Sequence, residues 1–453
     1  MATRSMKARG LAPTVSPGAV VLAAAIPVLF LHVHYQPGFG VGFGSTTVNA
    51  YLSDFAVLAV VVVAAWSGFR DGFGPLARGR WIWTAAGLFL LWMVVEVGYG
   101  RHHAPSYAWH THGVTAAKFA EYALLAPALP LLVRRTRDLV LPLWSLVLWS
   151  AVATAVGVAQ FFGAEIFLAG TVGRRQASFL SSADYAALSA AVLLVGLVAF
   201  AVPRLRVSRT LAIVAIVSGV LGTITAGAIA SVLGLATALV AVGAVLVARH
   251  ELAARRLAVV AGAAAVVLVG AIAIRGSDLD AFVRFLGASP GRQASHPAKI
   301  QTYAHRTVLA WIGFEIWKKN PILGVGWEGS AEPANFMPLI PAAKRRFTDV
   351  SANAFPSAAP NHRYGVQNVW LQSLADLGVI GLLLWLAIFA TSAWLAAWTA
   401  VRIGALTAFI GLAWTALLVW LWTAQGFVAG IPLDALTWLA FGLAATLPVA
   451  EWA

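Results

Sequence analysis

Apolar runs of about 18 to 24 residues recur along nearly the whole chain, and no other feature narrows its fold so far. As a helix, such a run rises ~1.5 Å per residue and crosses a ~30 Å hydrocarbon core, whereas membrane-barrel strands are about ten residues long and alternate in polarity. The runs fall near Ala19 to Val33, Tyr51 to Trp66, Trp81 to Val97, Val114 to Val133, Leu139 to Phe162, Tyr185 to Val202, Thr210 to Thr225, Ala228 to Ala248, Leu257 to Ile274, Val369 to about Ile388 or a little beyond, Ile403 to Trp422 and Leu433 to Val449. Composition agrees: 453 residues that are 60% hydrophobic and 11% charged could not stay in solution as a globule. The expected fold is all-α, a polytopic membrane protein of about twelve transmembrane helices.

The net charge of +14 is mostly topological. Arg4, Lys7 and Arg9 precede the first run, and Arg70, Arg78 and Arg80, then Arg134, Arg135 and Arg137, then Arg204, Arg206 and Arg209, then Arg249, Arg255 and Arg256, then Arg402 fall on that same side. The positive-inside rule then puts both termini in the cytoplasm and one long polar excursion, beginning near Gly276, outside. The first run has no small-residue cleavage site after it and reads as a retained helix. The chain therefore divides into helices 1 to 9 (1–275), an extracytoplasmic loop (276–366) and helices 10 to 12 (367–453). A reaction out there has no nucleotide sugar or ATP, so any donor must arrive activated on a lipid. With no cysteine there is neither a disulfide nor a thiolate metal site, and no metal or other cofactor is called for.

Charges that topology leaves on the outer side are the functional candidates, because an ion near lipid is costly. Arg174 and Arg175 offer two forks of donors suited to a diphosphate, and equally to lipid headgroups. Lys118 and Glu121 lie three residues apart on the fourth run, where they neutralise each other or hold a ligand. Asp54 and Glu96 stand near outer helix ends as either bases or paired carboxylates. In the loop, Val308, Leu309, Ile312 and Ile316 recur at helical spacing up to a stop at Asn320-Pro321. That amphipathic helix lies against the bilayer or the bundle mouth, with Arg306 near its start, where an arginine pointing back at the site would have a phosphate to hold. Lys344, Arg345 and Arg346 read as a solvated basic patch. Asn368, Gln372 and Asp376 form a polar stripe on the tenth helix, and His362 before it is the histidine placed to take a proton from a sugar hydroxyl. PGFGVGFGS at Pro37 to Ser45 lacks the Lys-Ser/Thr of a phosphate loop and reads as a flexible loop.

These residues resemble the O-antigen ligase and O-antigen polymerase superfamily. At the end of its loop that family has His, then Asn, Ser or Gln, nine residues, and Gly-x-x-Gly; this chain has Gln367-Asn368, nine residues, then Gly378-Val379-Ile380-Gly381. The spacing fits and the histidine position holds Gln367. Arg306 with NPILGVGWEG, and Arg175 before a span, are similar to further family features, while Ala228 stands where the family often has arginine. The resemblance implies transfer of a glycan from a polyprenyl diphosphate to an acceptor hydroxyl on a glycan, a lipid or a lipid A core. It also implies inversion, the outer face of the bacterial inner membrane, and no metal, nucleotide or nucleic acid. Arg174, Arg175, Arg306 and Lys118 would hold the diphosphate; His362, Gln367 and Asn368 would serve the acceptor. Polymerase is favoured over ligase by the missing histidine and arginine. A carrier or flippase for lipid-linked glycans would carry charges deep in several spans, which these helices do not; a degenerate relative that only binds lipid-linked glycan is kept open by Gln367.

Overall fold

The computed structural model describes residues 15–447 except 44–45, 105, 168–174, 203–206, 252, 286–296, 349, 351, 353–354, 357–364 and 428–429. Along the chain, α1 (Pro17–Leu29) leads to a hairpin of β1 (Gly38–Phe43) and β2 (Thr46–Tyr51). There follow α2 (Leu52–Asp71), α3 (Arg80–His103), α4 (Trp109–Ala123), α5 (Leu125–Leu132), α6 (Val140–Phe161), α7 (Ser182–Ala201), α8 (Arg209–Ala226), α9 (Ile229–Ala248) and α10 (Ala254–Phe285). The intervening segment holds α11 (Pro297–Lys319), α12 (Pro333–Phe336) and α13 (Ile340–Arg346), and α14 (Val369–Arg402), α15 (Leu406–Leu421) and α16 (Ile431–Ala445) close the chain.

The protein is an all-α polytopic membrane protein. Among the described residues nine helices are long and apolar enough to cross a membrane, and α1 and α16 are shorter apolar helices. The remaining expected run is the pair α4 and α5, interrupted at Leu124, where Pro127 has no amide to bond the carbonyl of Ala123. The apolar window of α7 is 83% buried and that of α10 only 11%, so α7 is central and α10 peripheral. At the core, Phe89, Trp385 and Phe427 stack with Trp327, the Phe89 and Trp385 rings 5.1 Å apart and those of Trp327 and Phe427 5.0 Å.

The topological arginines also close helix ends. Arg134 donates to Ser67, Asp71 and Gly72 carbonyls at the end of α2, at 3.2, 3.0 and 2.8 Å. Arg249 does the same for Ala400 and Val401 at the end of α14, at 3.0 and 2.7 Å. A guanidinium there meets both the orphan carbonyls and the negative end of the helix dipole.

Three expectations change. The glycine-rich stretch is not a flexible loop: Gly38, Gly40 and Gly42 pair with Tyr51, Asn49 and Thr47 in an antiparallel hairpin. The alternation of glycine with Phe39, Val41 and Phe43 is a strand period, and its glycine face leaves room for its neighbours, since a Cβ on Gly40 would come 2.7 Å from Thr47 Cγ2. The ninth run does not stop at Ile274, because α10 continues to Phe285. The tenth does not stop near Ile388; α14 runs for 34 residues with a break at Gly378. Of the two placements expected for α11, the structure shows the bundle: Val308, Leu309, Ile312 and Ile316 pack under Phe336, Leu339 and Ile340 and against Ala375 of α14.

Candidate functional site

Opposite the arginine-rich end, where α2, α7 and α16 begin, the helices part around a cavity of about 480 Å³. Its roof is the polar face of the hairpin, Thr47, Asn49 and Tyr51, which the small glycines opposite allow to sit together. One wall is α4, with Thr111, Thr115 and Lys118. Lys118 donates to Asp54 Oδ2, which also accepts the Tyr51 amide at 2.7 Å and so caps α2. Glu121 lies 3.6 Å from Lys118 across one helical turn. The expected pairing of Lys118 with Glu121 is thus present, with Asp54 as a second and tighter partner.

The floor is made by two helix starts. Ser181 caps α7: its Oγ accepts the Asp184 amide at 3.1 Å and donates to Asp184 Oδ2 at 2.7 Å. Gly430, at φ 139°, begins α16; its carbonyl accepts the Asp434 amide at 3.2 Å, and a Cβ on it would come 3.3 Å from Asp184 Oδ2. The positive φ favours glycine there, and the missing Cβ leaves room for the Asp184 carboxylate. Asp184 and Asp434 consequently face each other near enough to repel, and Asp434 Oδ1 is buried without a donor among the described residues. His32 also lines the cavity; burial, and His34 beside it, lower its proton affinity. Its Nδ1 accepts the His34 amide at 3.2 Å, which leaves the proton on Nε2. Beyond Lys118 a recess of about 440 Å³ takes in Glu121, Trp109 and His110, with Arg101 4.2 Å above the Trp109 ring.

A second polar cluster lies on the other side of α4, where the NPILGVGWEG segment docks on the break in α14. Gly378 has φ 66° and ψ −168°, and a Cβ there would lie 1.9 Å from the Ile322 carbonyl oxygen. The carbonyls that the break releases are all bonded: Ala375 by Val325 N–H at 3.0 Å, Asp376 by Gly326 N–H at 2.9 Å, and Leu377 by Trp92 Nε1 at 3.0 Å. Asp376 Oδ1 accepts the Ser330 amide at 2.7 Å, and the fully buried Glu96 carboxylate lies within its field. Gln372 donates to Glu328 at 2.9 Å and accepts the Phe427 amide at 2.8 Å. Glu332 meets His112 at 2.6 Å, and the Tyr107 hydroxyl donates to the Trp327 carbonyl at 2.5 Å. Burial among these carboxylates pushes the Tyr107 phenol well above its ordinary range.

The structure therefore divides the sequence candidates. Asp54 and Lys118 line the cavity and Glu121 the recess beside it; Glu96, Gln372 and Asp376 belong to the docking cluster. Asn368 caps α14, its Oδ1 accepting the Leu371 amide at 3.1 Å and its Nδ2 donating to Thr423 O at 3.2 Å. Gln367 precedes it with a left-handed backbone, φ 51°. Arg175 donates from Nε to Ala226 O at 3.3 Å at the end of α8, and Arg306 is half-buried on α11. Arg174 and His362 lie outside the described residues. Sequence reasoning missed Asp184, Asp434 and His32. Ser181-x-x-Asp184 is a capping box ahead of an apolar run, and an acid in the first turn of a membrane helix was the available signal for both aspartates.

Fold and site define a multi-pass membrane protein with a polar, partly acidic cavity at one end of its bundle. Within that class, residues 211–386 match the O-antigen ligase family, which bears out the resemblance to the O-antigen ligase and polymerase superfamily and supports a membrane glycan ligase or polymerase in general. No curated protein matches the chain. The matched segment runs from α8 into α14 and includes Arg306, Gln367, Asn368, Gln372 and Asp376. The cavity residues Asp54, Lys118, Asp184 and Asp434 lie outside it.

Proposed function

We propose that the chain is a glycosyltransferase that moves a glycan from a polyprenyl diphosphate to an acceptor hydroxyl, on the outer face of the bacterial inner membrane and without metal or nucleotide. The observation that carries this reading is the family match together with a cavity at the bundle end opposite the topological arginines. A volume of about 480 Å³ falls in the ordinary range for a small-molecule site, and carboxylates with a neighbouring tryptophan suit sugar hydroxyls and sugar faces. Arg174, Arg175 and Arg306 hold the diphosphate and stabilise the charge that develops as it leaves. Lys118, drawn towards Asp54 and Glu121, holds the cavity wall in register and presents a cation to its interior.

The test is reconstitution of the purified protein with a polyprenyl-diphosphate oligosaccharide, following glycan length and released polyprenyl diphosphate. Lengthened glycans mark a polymerase, and donor consumed only when a separate acceptor is added marks a ligase. Gln367 in the family's histidine position favours one other reading, a binding scaffold. That reading takes over if no acceptor gives turnover while donor binding is lost in Arg175→Ala.

A further inference from the structure

The transfer just described needs a group to receive the acceptor's proton; Gln367 has no basic atom to receive it, and His362, the histidine the sequence offers, lies outside the described residues. Of the titratable side chains around the cavity, most are committed elsewhere. His32 carries its proton on Nε2 because Nδ1 accepts the His34 amide, so it offers a donor to the cavity. Asp54 Oδ2 is taken by the Lys118 ammonium and the Tyr51 amide. Asp184 Oδ2 is held by the Ser181 hydroxyl at 2.7 Å, in a side chain that is 3% exposed. Asp434 differs: it lines the same cavity, is half-buried, and its carboxylate accepts no hydrogen bond among the described residues. Asp184 borders the same cavity across Gly430, so both carboxylates face the space an acceptor would enter.

We propose that Asp434 is the catalytic proton acceptor for the sugar hydroxyl and that Asp184 holds that hydroxyl in line, an inference that rests on the glycosyltransferase reading above. The acceptor oxygen forms a bond to the anomeric carbon and the bond from that carbon to the diphosphate oxygen breaks. The electron pair leaves with the polyprenyl diphosphate, and the hydroxyl proton passes to the Asp434 carboxylate. Gly430 is then a positioning residue, because a Cβ there would press on Asp184 Oδ2 at 3.3 Å and its φ of 139° is one that other residues rarely adopt.

The experiment compares two acceptors in the reconstituted enzyme: a sugar hydroxyl, which must lose a proton, and azide, which has none to lose. Asp434→Asn should lower transfer to sugar by 100-fold or more, the range general-base removal gives. Formation of glycosyl azide from the same donor should stay within about threefold of the parent. Asp184→Asn should raise the KM for the sugar acceptor with a smaller change in kcat. Equal loss with both acceptors would make Asp434 structural and overturn the proposal, as would full sugar transfer in Asp434→Asn. A parent enzyme that transfers to neither acceptor while binding donor overturns the glycosyltransferase reading itself, which is a separate failure. Thermal midpoints of the variants, expected within a few degrees of the parent, identify any that fails by unfolding; Asp434→Glu then decides, since it keeps a carboxylate and should restore part of the sugar transfer without changing the azide rate.

Discussion

The joint between the NPILGVGWEG segment and α14 should be the most substitution-sensitive point in the protein, and Gly378→Ala is the substitution that measures it. At φ 66° and ψ −168° the backbone sits in a region that only glycine enters freely, and an alanine there is strained by about 1–3 kcal/mol. Its Cβ would also start 1.9 Å from the Ile322 carbonyl oxygen, a backbone atom that cannot rotate away. Relieving that contact separates the two segments and breaks three bonds: Val325 N–H to Ala375 O, Gly326 N–H to Asp376 O, and Val379 N–H to Pro321 O. At about 0.5–1.5 kcal/mol each, these add about 1.5–4.5 kcal/mol. The expected loss is therefore about 2.5–7.5 kcal/mol, concentrated at the joint. Limited proteolysis in detergent should show cleavage of the segment around residues 320–346 before the helices unfold, and the thermal midpoint should fall. Gly87→Ala is the control, because a Cβ there meets nothing within 4 Å and replacing glycine in mid-helix is neutral or mildly stabilising. Equal midpoints and equal cleavage rates for Gly378→Ala and Gly87→Ala would refute the reasoning.

Arg249→Ala removes a charged donor from the Ala400 and Val401 carbonyls and a partner 2.9 Å from Glu251; it should cost about 2–3 kcal/mol in a denaturant titration, and Arg249→Lys should recover part of that. Tyr107 keeps its proton in the fold to higher pH than in the unfolded chain, so its stabilising contribution is complete below pH ~10 and is lost as pH rises beyond that. Stability should then fall less steeply above pH ~10 in Tyr107→Phe than in the parent, and identical slopes would count against it. Trp327→Phe keeps the stacked ring but loses the 2.9 Å bond from Nε1 to Thr115 Oγ1, with an expected cost of about 1 kcal/mol; Trp327→Ala, which empties a fully buried site, should cost about 3–5 kcal/mol in the same titration.

What could be read from the sequence was whatever depends on period and length. Over most of their described residues the twelve apolar runs are helical, because a span must satisfy its own backbone, and that requirement leaves a local signature. The two Gly-x-Gly-type segments, at Gly324 to Gly326 and Gly378 to Gly381, were visible as motifs, but nothing local shows that each glycine makes room for the other's backbone. The hairpin was misread because glycine at every second position signals flexibility to a composition argument and a strand to a periodicity argument; pairing with Thr47, Asn49 and Tyr51 decided the matter. Asp184 and Asp434 lie 250 positions apart and become neighbours only because two helix starts close around Gly430. A long-range convergence of that kind has no sequence period to betray it.

The matched segment and the cavity share no lining residue, yet they are mechanically joined through α4. One face of α4 carries Thr111, Thr115 and Lys118 into the cavity, while His112, Ala116 and Phe119 turn inward, His112 to Glu332 at 2.6 Å and Phe119 to the Trp327 ring at 5.7 Å. Thr115 serves both sides, since it lines the cavity and accepts Trp327 Nε1. A movement of the 320–332 segment must therefore shift α4 or break these contacts. Packed interiors move as bodies, so the first outcome is the less costly. Shifting α4 moves Lys118 relative to Asp54, and with it the roof and wall of the cavity. A ligand that displaced the matched segment would in this way reshape a cavity built entirely from other residues.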